Sequence, residues 1–416
     1  MYFTYFDTDT LTETARERAL RRLRDYRDRI MDPEREVPEY ALVHPSEPEL
    51  HETLATLEKR FAKAKHVLLI GIGGSSLGTE AVHAALGVER AELSVLDTIS
   101  GALLERTLAE LTTRYKDPRH IAVCVISKSG STTETMSNVA VVSARLEARF
   151  GKAIREQFIY IGDPGTDFLK AGKRRGGSVV AMPPAIGGRY SVATAVGLVP
   201  LALLGHDVDE YINGFLDANG SEFEVVAADG AARLFGYVRS GVRHYNFFAF
   251  EPRLWALGAW YRQLAAESLG KEFDRSGKQV KYGFLPTVST PVELHSIGQL
   301  YLSGFSGVYT DFVTFDDEEH DPKIPNTPFS KRLAGKTAGE VATAIYGGVI
   351  GAYQERQLPY RATVFDEGSR AYALGCFMAL RMRETMYLAE LLDLNAFDQP
   401  NVELYKQKSR DMLGLS

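Results

Sequence analysis

Short apolar runs recur along the first half of the chain at intervals that suit strands. Val67–Ile70, Leu93–Leu96, Ile121–Ile126, Phe158–Ile161 and Val179–Met182 are the clearest. Stretches of helical period separate most of them. Strands alternating with helices predict a parallel sheet covered on both faces. The segment Ser191–Leu204 is apolar nearly all round, the pattern of a buried helix. Gly205, His206 and Asp207 end it and mark a domain boundary. A second rhythm follows, with strands at Tyr245–Phe250, Tyr282–Val288, Val308–Phe315 and Ala362–Phe365. Helices are expected at 252–268, 291–303, 336–350 and 368–392, and a last short one from near Pro400. Ahead of all this, residues 10–30 read as a charged amphipathic helix, with Pro33 and Pro38 as the break.

The pattern describes an α/β protein: two tandem, doubly wound domains with mainly parallel sheets and helical extensions at both ends. The expected divisions are a helical arm over 1–40, a first α/β domain over 41–206, a second over 207–392 and a C-terminal helical segment over 393–416.

Composition agrees. A chain of 416 residues with 45% hydrophobic and 25% charged residues is globular and large enough for two or three domains. A net charge of −6 argues against a nucleic-acid scaffold but permits a local basic pocket. The two cysteines, Cys124 and Cys376, form neither a disulfide framework nor a zinc spacing, which suits a reducing cytoplasm. The opening MYFTYFDTDT turns polar and acidic at once, so no signal peptide is expected. No apolar run approaches the ~18 residues of a membrane span.

Two loops carry candidate chemistry. In GIGGSSLG (Gly71–Gly78), glycines after a strand let the backbone approach a ligand, and the next helix N-terminus favours an anion. Asp97, ending a later strand, would suit a dinucleotide ribose, but Ser76 stands where GxGxxG has its third glycine. Dinucleotide, another phosphate, or a plain tight turn all remain open from this loop alone. In VISKSGSTTET (Val125–Thr135), Ser127, Ser129, Ser131, Thr132 and Thr133 offer hydroxyls, Lys128 a charge and Gly130 a turn. Such a loop is either a phosphate nest or a Ser/Thr-rich cap. Two such loops on one sheet edge favour a phosphorylated small molecule.

Glu267 falls on one helix face with Trp260 and Leu264, near the stop at Gly270. Partial burial and a helix C-terminus both favour proton uptake by a carboxylate, as a general base requires. Arg189 precedes a helix, where a cation is disfavoured, so an anionic partner is expected. Thr290, Pro291 and Glu293 form a helix start that places His295 in the second turn. His320, in DDEEHDP, reads as part of a solvated acidic loop, and Lys406 by default as a surface lysine.

GIGGSSLG, VISKSGSTTET, GGRYSV, ESLGK, the histidine ahead of IGQL and FDQPNVELYK, in this order from about residue 65 to 408, resemble the motifs of the phosphoglucose isomerase family, most of all its bacterial form. The resemblance implies tandem sugar-isomerase (SIS-type) domains and interconversion of glucose 6-phosphate and fructose 6-phosphate through ring opening and a cis-enediolate. It implies Glu267 as the catalytic base, His295 as the ring-opening histidine, Arg189 beside the intermediate and Lys406 near the ring oxygen. Gly74, Ser75, Ser127, Lys128, Ser129, Thr132, Gly188 and Gln399 would bind the substrate or its phosphate. It implies no metal or other cofactor, and a cytoplasmic homodimer with His295 donated across the interface. The C-terminal segment would complete the active site. The sequence departs from the family pattern at Ser289-Thr290, Leu294, Ala193 and Asn401, positions that bear on sugar preference and efficiency. The rival readings are action on mannose 6-phosphate, a non-catalytic sugar-phosphate sensor and a nicotinamide-dependent dehydrogenase.

Overall fold

The computed structural model describes residues 1–7, 10–30, 38–39, 42, 48–281, 285–303, 307–316, 321–366 and 368–415. Its strands are β1 (Tyr2–Phe6), β2 (His66–Ile70), β3 (Glu92–Leu96), β4 (Ile121–Ile126), β5 (Phe158–Gly162), β6 (Ser178–Ala181), β7 (His244–Ala249), β8 (Leu285–Ser289), β9 (Val308–Phe315) and β10 (Tyr360–Phe365). They form two sheets, β3-β2-β4-β5-β6 and β1-β10-β9-β7-β8. Every pairing is parallel except β1 with β10.

Both sheets are wound alike. In each, the first parallel strand, β2 or β7, lies between the second and the third, so the winding reverses there. Such a reversal opens a crevice at the carboxyl ends of the strands. In the first sheet, GIGGSSLG follows β2 and SKSGSTTET follows β4, so the two loops stand on either side of that crevice.

β2, β4 and β5 are buried at every residue, which is why they read as unbroken apolar runs. The helix Ala195–Leu204 is buried along its whole length and carries Pro200 inside it. Thr194 caps it by accepting from the Val196 N–H at 3.3 Å. The helix Arg370–Leu391 backs the second sheet against the helix Val208–Asp217. Gly214 and Gly375 let these two approach backbone to backbone, because side chains there would strike the Tyr372 and Tyr211 carbonyls. The helix Leu77–Leu86 after β2 packs on the helix Trp255–Leu269 after β7, joining the two α/β units where their first crossovers meet.

Two expectations need correction. The N-terminal segment is not helical throughout: the helix Glu13–Ile30 is preceded by β1, which adds an antiparallel edge to the second sheet. The expected helix over 291–303 is broken into a 3-10 turn, Pro291–His295, and a short helix, Gly298–Leu302. Ser296, with φ −124° and ψ −65°, leaves the helical region between them. His295 therefore ends a turn and does not sit inside a helix. The strand expected from Tyr282 is seen from Leu285, and residues 282–284 and His320 lie outside the described residues. No helix among the described residues is long and apolar enough to cross a membrane.

Candidate active site

The crevice of the first sheet opens into a cleft of about 600 Å³. Gly74, Ser75, Lys128, Ser129, Thr132, Gly188, Arg189, Glu267, Gln399 and Lys406 all border it, drawn from five separate stretches of sequence. Ser127 lies just beneath, buried, with its hydroxyl 3.2 Å from the Thr132 hydroxyl and accepting from the Gly130 N–H at 3.2 Å. His295 does not border the cleft and is exposed.

Glycine is required at 73, where the first loop passes the helix Trp255–Leu269. A Cβ on Gly73, where φ is +62°, would lie 2.8 Å from the Gln263 amide nitrogen. In the second loop Gly130, with φ +70°, makes the turn, and the Ser129 and Ser131 hydroxyls lie 2.6 Å apart. Thr132 is the N-cap residue of the helix Thr133–Phe150, yet its side chain makes no capping bond. The first-turn N–H groups thus lack a side-chain acceptor beside a row of hydroxyls, which suits an anion. Lys128 borders the cleft while its amine donates to the Pro184 and Ile186 carbonyls at 2.6 and 3.1 Å. It ties the second loop to the segment leading to Gly188 and adds positive charge.

The helix Trp255–Leu269 buries Leu257, Trp260, Tyr261 and Leu264, each worth ~1.5–3 kcal/mol of burial. Glu267 continues that stripe to the cleft, its side chain 31% exposed. Its Oε2 accepts from Arg189 Nη1 at 3.1 Å and its Oε1 from the Gln263 amide at 3.0 Å. The anionic partner expected for Arg189 is thus Glu267. Arg189 is buried and held rigidly: Nε donates to Ser268 Oγ at 3.0 Å, and Nη2 donates to the Ala396 and Asp398 carbonyls. Tyr190, 2.8 Å from Ser268 through its hydroxyl, completes the support. Lys406 Nζ donates to Glu403 Oε1 at 2.7 Å, within the C-terminal helix Glu403–Met412.

Gln263 is a member of the site that the sequence reading misses, although it lies one turn ahead of Glu267. Its buried Oε1 has no hydrogen-bond partner among the described residues. A carboxylate fixed by an arginine and an amide, facing two hydroxyl-lined loops, can move a proton on an anchored anionic substrate.

Comparison with known proteins gives the family. Residues 10–414 match the family model described as phosphoglucose isomerase. The chain is 33% identical over 376 residues to a glucose-6-phosphate isomerase of Thermus thermophilus, covering 88% of each chain. It is 31% identical over 390 residues to one of Carboxydothermus hydrogenoformans, covering 88% of this chain and 83% of the other. Among solved structures, a hypothetical protein of Thermus thermophilus superposes with a TM-score of 0.86 at 30% identity, covering 99% of this chain and 100% of the other. A glucose-6-phosphate isomerase from Chlamydia trachomatis has the same fold, with a TM-score of 0.81 at 20% identity over 99% of this chain and 88% of its own. The chain belongs to the phosphoglucose isomerase family.

Proposed function

We propose that this protein interconverts glucose 6-phosphate and fructose 6-phosphate, an aldose–ketose isomerisation of glycolysis and gluconeogenesis, in the cytoplasm. The observation that carries the reading is the Arg189–Glu267–Gln263 group, which faces the two hydroxyl-lined loops across one cleft. The family and the relatives named above supply the substrate class.

In this reading Ser75, Ser129 and Thr132 hold the phosphate, with Gly74 and Gly188 giving backbone approach. Ser127 orients Thr132, and Lys128 contributes charge from the loop's base. Binding energy gained at the phosphate positions the sugar's far end. Gln399 contacts the sugar. The ring opens as His295 and Lys406 exchange protons with the ring oxygen and the adjoining hydroxyl. For Lys406 this means releasing Glu403. Glu267 takes the proton from C2 and returns it at C1. Arg189, already aimed at the base, stabilises the cis-enediolate, a contribution of order 10²–10³ in rate for one oxyanion donor. The proton moves between adjacent carbons of one substrate, so no redox cofactor is required.

His295 enters from a second copy of the chain. It is exposed among Val292, Ile297 and Leu300, which are 71%, 36% and 49% exposed. The helix Ala338–Glu355 is mostly uncovered too, and Gly347, Gly348 and Gly351 have no atoms near their Cβ positions. An apolar face of this kind on a large protein suits a homodimer contact. The domain divisions at 40, 206 and 392 belong to the same reading, with segment 393–416 completing the site.

A coupled assay of the purified protein with fructose 6-phosphate tests the proposal. Glucose 6-phosphate formation without added nicotinamide or metal in the isomerase step is expected. Turnover confined to mannose 6-phosphate, or none with either sugar, would refute it.

A further inference from the structure

The C-terminal helix Glu403–Met412 presents Lys406 to the cleft yet buries none of its residues. Leu404, Tyr405 and Met412 are 66%, 56% and 89% exposed. Apolar packing on this chain therefore does little to place it. Its position depends on the segment just before it, residues 393–401.

That segment runs beside residues 271–275, which follow the helix carrying Glu267. Three ties join the two. The Arg275 N–H donates to the Asp393 carbonyl at 2.8 Å. Lys271 Nζ donates to the Asp398 carbonyl and to Asp398 Oδ1, the latter at 2.8 Å. The Asn401 amide donates to Glu272 Oε2 at 2.9 Å. Lys271 is the buried member, its side chain 6% exposed. The Asp398 carbonyl it grips also accepts from Arg189 Nη2 at 3.2 Å. One carbonyl thus couples the arginine beside Glu267 to the loop that bears Gln399. Lys271 does not border the catalytic cleft. It lines a separate pocket of about 530 Å³ together with Asp398, Pro400 and Asn401.

We propose that Lys271 is a positioning residue that latches the Ala396–Gln399 segment to the end of the Glu267 helix and so sets where Gln399 and Lys406 stand over the cleft. The inference rests on the isomerase reading. Burial of an ammonium is costly unless it is paired, and here the Asp398 carboxylate and carbonyl supply the pairing. That pairing fixes the segment at the point where it passes Arg189.

The test compares the full chain with Lys271→Met, Lys271→Arg and Asn401→Ala. Steady-state turnover of fructose 6-phosphate, affinity for inorganic phosphate, thermal unfolding and amide hydrogen exchange over 403–412 are measured. Lys271→Met is expected to lower kcat about tenfold or more while phosphate affinity changes less than about twofold. Exchange over 403–412 should quicken about tenfold, with β2 and β4 unchanged. Lys271→Arg should restore part of both effects. Asn401→Ala, which alters only an exposed pair, should show a smaller loosening without loss of thermal stability. Exchange over 403–412 within about twofold of wild type, or an undiminished kcat, overturns the latch. A wild-type chain without isomerase activity refutes the proposed function instead, and the exchange measurement still decides whether Lys271 holds the segment.

Discussion

Gly74 and Gly188 meet backbone to backbone. A Cβ on Gly74 would collide with the Gly188 carbonyl and come within 2.6 Å of the Arg189 nitrogen. The first glycine loop and the arginine-bearing turn are therefore one unit, and space sets the requirement for glycine at 74, since only Gly73 in that loop has a positive φ.

Gly74→Ala should push the two loops apart. The expected cost is about 1–3 kcal/mol of stability, typical of overpacking, together with a fall in kcat/KM of about tenfold or more as Arg189 shifts. Urea unfolding and steady-state kinetics measure the two. Wild-type kcat/KM would show that the loops move independently.

Glu267→Gln should bind sugar phosphate but lose about 10²–10⁴ in kcat, the range for a positioned general base. Gln263→Leu removes the donor to Glu267 Oε1 and should cost about tenfold. Kinetics alongside inhibitor affinity separate binding from proton transfer. Activity of the Glu267→Gln variant within a few-fold of wild type would discard the base assignment.

If Glu267 and His295 of different copies share one site, then mixing inactive Glu267→Gln and His295→Ala chains should restore activity. Random re-pairing leaves one intact site in half of the dimers, or about a quarter of wild-type activity. No recovery, with mixed dimers demonstrated by mass spectrometry, would place His295 in its own chain's site or outside the chemistry.

His83 Nδ1, in the helix Leu77–Leu86, and His206 Nε2 lie 2.8 Å apart. Burial, with His83 alongside, pushes His206 down to about 4. A histidine depressed below its ordinary 6.5 binds fewer protons folded than unfolded between those values. Its stabilising share is therefore complete above pH ~6.5 and is lost as pH falls towards ~4, by up to about 3 kcal/mol. Denaturant unfolding from pH 7 to 4 should show this slope. It should flatten in His206→Asn.

Asp311, Arg361, Arg381 and Glu384 form a buried cluster of two cations and two anions, with Arg361 Nη2 and Arg381 Nη2 at 2.8 and 2.9 Å from Asp311 Oδ2. Arg361→Met leaves a net buried charge and should cost about 3–5 kcal/mol. Thermal unfolding reads this out, and a loss below 1 kcal/mol would mean that water enters the cluster.

Much of the first sheet is legible in the sequence because β4 and β5, and β2 after His66, are buried throughout and apolar. The loop chemistry follows from glycine and hydroxyl density. β1 is hard to read, although Tyr2–Phe6 is rich in aromatic residues, because polar and acidic residues follow at once. Gln263 is silent because an amide inside an apolar helix carries no charge signal, and only its spacing from Glu267 marks it. The sequence predicts a helix at His295 because the Thr290–Glu293 start is genuine: the Thr290 N–H and hydroxyl both meet Glu293 Oε2. Nothing in the local sequence announces the exit at Ser296. Lys128 reads as a phosphate clamp, whereas its amine is shared with two carbonyls that only the fold brings near.

The pairing of Tyr2 with Val364 and of Phe6 with Tyr360 has a consequence for biogenesis. β1 leaves the ribosome long before β10 and must wait, aromatic and unpaired, until β10 has been made. The first sheet can settle while the second is still being translated, but the far edge of the second sheet closes only once Tyr360–Phe365 has emerged. Chaperone engagement during that wait should centre on Tyr2–Phe6.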